Sequence, residues 1–390
     1  MAVAVVDGIR LLFLYIFFDN DTLAHILSEI SFVYLSLYIY LWSNESYFLR
    51  FSDLKQNLSI LTIKKYLTDD GVKHIFFLLL LISFTYIYQT YNSIDNIFML
   101  LTICLWYVNN LLMAIARSVF AINSIIRIDM ISSLIFLTLQ VLLCTIYYET
   151  GFWYAVFTHQ FLLVFIYLFF FINLKKTSGT VNTRSSIPSK SNYALSGLST
   201  VAINNSPSLT ASLIRVTTLH LGYSQLLPAL EIALFFFQKI FFLLTQVNRI
   251  VYPFLHGIDN QNKLPFISFL NINLKIIFFS LAPFFLFSFF LDTILANFNT
   301  SYIFIEQLFW PLITLSISIF IYNLLFSGSV YFTSDSNLIF VLLPLFLILP
   351  LTATVIAFNS LSILMFIYLL SFSYFSPSIL FYLLYRVSIK

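Results

Sequence analysis

Charge is what this sequence lacks. Only 9% of its 390 residues are Asp, Glu, Lys or Arg, against about 25% in an ordinary soluble domain. Sixty per cent are hydrophobic, and the mean hydropathy is +0.95. So few polar side chains cannot cover a water-exposed surface. The composition excludes a soluble enzyme, a nucleic-acid-binding domain and a disordered chain. Cysteine is nearly absent as well. Cys104 and Cys144, both inside apolar runs, exclude a disulfide framework and a four-cysteine zinc site. The five histidines are scattered, which argues against a metal centre. No Gly-x-x-x-x-Gly-Lys-Ser/Thr loop is present, so the chain does not hydrolyse ATP by itself. His-Glu-x-x-His and Gly-x-Ser-x-Gly are missing too. The sequence is read as that of a protein that is not an enzyme and carries no cofactor or metal.

What is present is long apolar runs. A membrane-crossing helix needs about 20 mostly apolar residues, and about twelve such runs occur. They lie near 2–18, 23–42, 74–92, 96–118, 126–147, 152–173, 194–217, 224–248, 265–291, 304–328, 337–357 and 361–386. The strands of a β-barrel would alternate polar and apolar over about ten residues, whereas these runs are continuous. An all-α, polytopic membrane protein is predicted. The segment Met1–Phe18 has no basic start and no small-residue cleavage site, so it is read as a first span and not as a signal peptide.

Basic residues set the orientation. After even-numbered runs come Arg50, Lys55, Lys64, Lys65 and Lys73; Arg117 and Arg127; Lys175, Lys176, Arg184 and Lys190; Arg249 and Lys263; and Arg386 and Lys390. The loops after odd-numbered runs hold none, and carry Asp19, Asp21, Asp95, Glu149 and Asp292 instead. Both termini are expected in the cytoplasm of a multi-pass protein.

Two cytoplasmic stretches interrupt the pattern. Residues 174–192 are basic and rich in Ser and Thr without apolar periodicity, the signature of a flexible linker. They would join a six-helix bundle over 1–173 to a second over 193–390. In residues 43–73, Phe51, Leu54, Leu58 and Leu61 fall at helical spacing before Lys64 and Lys65. This predicts an amphipathic helix lying in the interface, with a plain loop as the alternative.

Three short stretches carry a resemblance. They are Ala116-Arg117-Ser118 through Arg127 after the fourth run, His220-Leu221-Gly222-Tyr223 followed by Ala229-Leu230-Glu231-Ile232-Ala233 at the eighth, and Arg249-Ile250-Val251-Tyr252-Pro253 closing it. With the six-plus-six topology, they resemble the polysaccharide and O-antigen flippases of the multidrug/oligosaccharidyl-lipid/polysaccharide (MOP) exporter superfamily. One departure is that the glycine usual after the first span is replaced by Asp21-Thr22-Leu23-Ala24. The resemblance implies two bundles around a central cavity lined by spans one, two, seven and eight, in a bacterial cytoplasmic (inner) membrane. It also implies alternating-access flipping of undecaprenyl-pyrophosphate-linked oligosaccharide, an O-antigen or capsule repeat unit. Membrane lipids would be partners, as would the polysaccharide polymerase and chain-length machinery, with no nucleic acid.

The intramembrane charges suit that substrate. An ionisable group at bilayer depth costs at least ~2.5–3.5 kcal/mol on insertion scales, so it pairs, meets water or serves function. Arg10, Arg215, Lys239 and Lys275 lie within runs, as do Glu29 and Glu231. A pyrophosphate needs cationic side chains for charge-assisted hydrogen bonds, and arginine offers a two-pronged donor set. The four cations are therefore candidate substrate-binding residues. Each has a plainer alternative: Arg215 snorkelling to the headgroups, Arg10 pairing with Glu29, and Lys275 sitting as an ordinary span residue. Lys239 lies about nine residues, ~14 Å, from the cytoplasmic end of its helix, which is far for snorkelling. His25, Glu29 and Glu231 are candidate coupling or pairing groups, with a core histidine as the alternative for His25.

Asn204, Asn205 and Pro207 stand mid-run in the seventh span, where a proline frees carbonyls and bends a helix. A hinge is expected there, with a static bend as the alternative. Two other functions compete with the flippase. A membrane-embedded polysaccharide polymerase or glycosyltransferase usually needs a long outer loop with Arg and His, and the outer loops here are short. A small-molecule exporter of the same fold is the other alternative; a closed cavity would favour it, and a lipid-accessible side portal the flippase.

Overall fold

The computed structural model describes residues 2–40, 96–119, 122–173, 206–255, 302–332 and 362–387, with isolated positions between 271 and 278 and between 343 and 355. The expected interfacial helix at 43–73, the linker at 174–192 and the run at 74–92 lie outside these residues.

The described helices follow the apolar runs closely. They are α1 (Ala2–Phe17), α2 (Asn20–Tyr40), α3 (Asn96–Val119), α4 (Ile122–Tyr147), α5 (Glu149–Asn173), α6 (Ser206–His220), α7 (Leu227–Leu255), α8 (Tyr302–Phe332) and α9 (Ile363–Val387). Stretches long and apolar enough to cross a bilayer include Arg127–Tyr147, Glu149–Phe169, Gln307–Leu325 and Ile363–Leu384. No strand occurs among the described residues. The chain is an all-α polytopic membrane protein.

Local chemistry sets the helix ends. Asp19 caps α2: the Thr22 backbone N–H donates to Oδ1 at 2.9 Å and the Thr22 hydroxyl to Oδ2 at 3.1 Å, satisfying donors that a helix start leaves open. A single residue, Tyr148, turns α4 into α5, with φ of 54°, a conformation uncommon for a bulky side chain. The close approach that follows requires Gly151, because a Cβ there would collide with the Leu143 carbonyl. Gly222, at φ of 79°, closes α6. Its N–H donates to Leu219 O at 2.9 Å and that of Tyr223 to Thr218 O at 3.1 Å, the paired bonds of a glycine-terminated helix.

The helices group into two compact units. The first comprises Met1–Ile26 with Ser36–Gly197, and the second Leu27–Leu35 with Leu198–Lys390. In the first, α4 and α5 form a hairpin, α3 packs on α5 and α1 on α4. In the second, α8 packs between α7 and α9, and α6 touches all three. The α8 face is apolar all round and most of the stretch Gln307–Leu325 is buried, as befits a central helix. Several hydroxyls inside the helices are satisfied locally: Ser316, Ser371 and Ser378 donate to the carbonyl four residues earlier at 2.7–2.9 Å, a usual arrangement for such residues in apolar helices.

Candidate functional site

Polar side chains concentrate inside each unit. In the first, Ser132, Phe136 and Gln140 recur at i, i+4 and i+8 along one face of α4, the spacing that stacks side chains on a helix. Arg10 of α1 lies on that face. Its Nε donates to Gln140 Oε1 at 3.1 Å, its guanidinium carbon is 3.8 Å from the Phe136 ring centroid, and Nη1 is 3.2 Å from Asp7 Oδ1. His159 of α5 stacks on Phe136 with centroids 4.5 Å apart, its Nε2 2.8 Å from Ser132 Oγ. From α3, Asn109 Nδ2 donates to Gln160 Oε1 at 2.8 Å and to Gln160 O at 2.6 Å.

Among the described residues, four buried atoms of this unit have no hydrogen-bond partner: Thr102 Oγ1, Asn109 Oδ1, Gln140 Nε2 and His159 Nδ1. Each such group costs about 1–3 kcal/mol.

Where α1 meets α2 and α4 meets α5, a second cluster ties the ends together. Tyr148 OH donates to Asp19 Oδ2 at 2.9 Å, and His25 Nδ1 lies 2.6 Å from Glu149 Oε1. Thr22 and Tyr148, donating to the Asp19 carboxylate, hold it below the usual carboxylate range.

The second unit holds the tightest pair. Arg215 of α6 donates through Nε to Glu231 Oε2 at 2.7 Å and through Nη2 to Oε1 at 2.6 Å. Arg215 is only 7% exposed, so it does not reach for headgroups; its charge is met inside the protein. Ala229 and Ala233, two residues either side of Glu231, are buried at 2% and 3% exposure. Lys239 is half-buried, with Nζ 4.9 Å from the Phe235 centroid, a cation–π distance. Deeper in the unit, Thr210 Oγ1 is 3.1 Å from Tyr374 OH, and the Tyr374 and Tyr322 rings meet edge to face at 5.2 Å.

The expected site residues thus fall into several places. Arg215 and Glu231 come together. Arg10 bonds Asp7 and Gln140, and Glu29 is buried. His25 pairs with Glu149. Lys275 is exposed. Pro207 is buried as the second residue of α6, and Ser206 before it donates to Asn323 Oδ1 at 3.4 Å. Asn204 and Asn205 lie outside the described residues. Sequence reasoning missed Asp7, Phe136 and Gln140 as Arg10 partners. Only the i, i+3 spacing of Asp7 and Arg10 was legible in advance.

No protein-family model matches the sequence, and no curated protein does. Solved structures match along the whole chain. An inward-facing multidrug resistance MATE family transporter of the MOP superfamily aligns with TM-score 0.57 at 15% identity, covering 100% of this chain and 95% of its own. The outward-facing form of such a transporter aligns at 0.53 and 12% identity, covering 100% and 93%. The chain has the MATE fold. A MOP superfamily transporter from Pyrococcus furiosus, for which a binding pocket of reverse polarity suggests a different function, aligns at 0.51 and 14%, covering 99% and 91%. At these identities the MATE likeness speaks for the fold, while the polar clusters above are this chain's own.

Proposed function

We propose that this chain is a transporter that moves undecaprenyl-pyrophosphate-linked oligosaccharide across the bacterial cytoplasmic membrane by alternating access. The observation that carries the reading is the full-length likeness to MATE transporters in both inward-facing and outward-facing forms. Rocking of one bundle against another about a midplane site is the usual mechanism of repeat-built transporters. The substrate class rests on cations kept at bilayer depth, a cost that a pyrophosphate headgroup explains. In this reading Lys239 and Arg10 meet phosphate, and Arg215 is held in shape by Glu231. Six spans each side of the basic stretch 174–192, with both termini cytoplasmic, complete the proposal.

A strain lacking the protein tests this directly. It should accumulate lipid-linked oligosaccharide on the inner leaflet and lose surface glycan. A strain with normal glycan display and no accumulation overturns the substrate. A second reading, a small-molecule exporter, is favoured by the relatives described as multidrug resistance transporters. It predicts instead that loss of the protein raises sensitivity to cationic drugs and slows dye efflux.

A further inference from the structure

An apolar groove of about 260 Å³ opens within the second unit between α8, α9 and Leu274. Leu324, Leu325, Phe375, Ile379 and Tyr382 line it. The residue beside Leu274 is Lys275. Asn271, Leu274, Lys275 and Phe278 are all exposed and recur at i, i+3, i+4 and i+7, so they share one helical face. Lys275 makes no ion pair or hydrogen bond among the described residues.

These observations are independent and they complement each other. An unpartnered cation inside an apolar run is unfavourable without an anion to meet it, and an open apolar groove is unfavourable without a chain to fill it. A lipid with an anionic head satisfies both. Depth selects which lipid. Lys275 stands ten residues into the run that begins at 265, ~15 Å at 1.5 Å per residue, about half of a ~30 Å hydrocarbon core. The phosphate of a resting phospholipid stays at the interface. The phosphate of a lipid in transit passes this level while its tail remains in an apolar environment.

We propose that the groove and Lys275 form a subsite for an isoprenoid pyrophosphate, the tail lying along Leu324, Phe375 and Ile379 and the phosphate meeting Lys275 midway. The proposal rests on the flippase reading and adds to it where the tail travels.

Binding to the purified full-length protein in phosphatidylcholine nanodiscs tests it, with undecaprenyl pyrophosphate as the probe and phosphatidylglycerol, undecaprenol and inorganic pyrophosphate as comparisons. Wild type should bind undecaprenyl pyrophosphate more tightly than any of the three. Lys275→Ala should weaken that binding at least tenfold, and Lys275→Arg should restore it. Ile379→Trp, placed at the exposed rim to fill the groove, should weaken binding of both undecaprenyl pyrophosphate and undecaprenol. Leu274→Trp serves the same purpose should Ile379→Trp not fold. No binding by wild type overturns the subsite, as does binding unchanged in the alanine and tryptophan variants. Equal, Lys275-dependent binding of phosphatidylglycerol also overturns it and marks a resident-lipid site. The flippase reading is judged separately: a strain lacking the protein that accumulates lipid-linked oligosaccharide, yet is fully complemented by Lys275→Ala and Ile379→Trp, keeps the flippase and loses the groove.

Discussion

Arg215 and Glu231 close a two-pronged ion pair across the turn between α6 and α7, with both donor–acceptor distances at 2.6–2.7 Å. Sixteen residues apart in sequence, they meet because Gly222 ends α6 sharply and a short 3-10 turn, Ser224–Leu226, starts the return. In a low-dielectric interior neither charge is tolerable alone, and removing one partner of a buried pair typically costs about 3–5 kcal/mol. Glu231→Gln should therefore lower the unfolding temperature in detergent markedly. The double variant Arg215→Met/Glu231→Leu should recover most of the loss, since it strands no charge. A single variant as stable as wild type would show that the pair contributes little.

Among the described residues Lys239 has no carboxylate partner, and its Nζ lies 4.9 Å from the centroid of the Phe235 ring. Losing a charge-assisted bond to a phosphate costs about 1.5–3 kcal/mol, roughly tenfold or more in affinity. Lys239→Ala should therefore abolish surface glycan display while membrane abundance stays at the wild-type level. Lys239→Arg should keep display. Quantitative immunoblotting beside glycan staining separates these outcomes, and full display with alanine removes Lys239 from the mechanism.

Acid should loosen the cap of α2. Thr22 and Tyr148 donate to Asp19 and depress its protonation below the usual carboxylate range, near 3.9 in an unfolded chain. Stability from these bonds is fully present above that unfolded value. It disappears as pH falls through the lower folded value. Asp19→Asn removes the titration, so its thermal stability should fall less than that of wild type between pH 5 and pH 3. Parallel losses in the two proteins would show that Asp19 contributes nothing to acid sensitivity.

Orientation has a simple chemical readout. The positive-inside tendency, applied to the loop lysines and arginines of the sequence, predicts that Asn96, at the start of α3, lies outside and Ser185 within the cytoplasm. A cysteine at Asn96 in a background lacking Cys104 and Cys144 should react with an impermeant maleimide on intact cells. A cysteine at Ser185 should react only after lysis. The reverse pattern inverts the topology.

Much of the fold was legible because membrane helices announce themselves one at a time. Each must satisfy its backbone internally and present an apolar surface about 20 residues long, so runs such as 126–147 and 304–328 mark α4 and α8 to within a few residues. The stretch His220-Leu221-Gly222-Tyr223, read as the entry to the eighth run, lies between the end of α6 and the start of α7. Side-chain partners were not legible. Arg10 and Gln140 are 130 residues apart, and His25 and Glu149 are 124 apart. Nothing in local spacing points to either pairing.

The sequence by itself determined that this chain lives in lipid as a bundle of helices and which residues bear charge at depth, because the cost of exposing apolar surface to water and charge to hydrocarbon is fixed residue by residue. Tertiary structure alone decided which of those charges are answered from within: Arg215 by Glu231, Arg10 by Asp7 and Gln140, and Lys275 by nothing among the described residues. Neutralisation acts over a few ångströms, and only packing brings distant side chains that close.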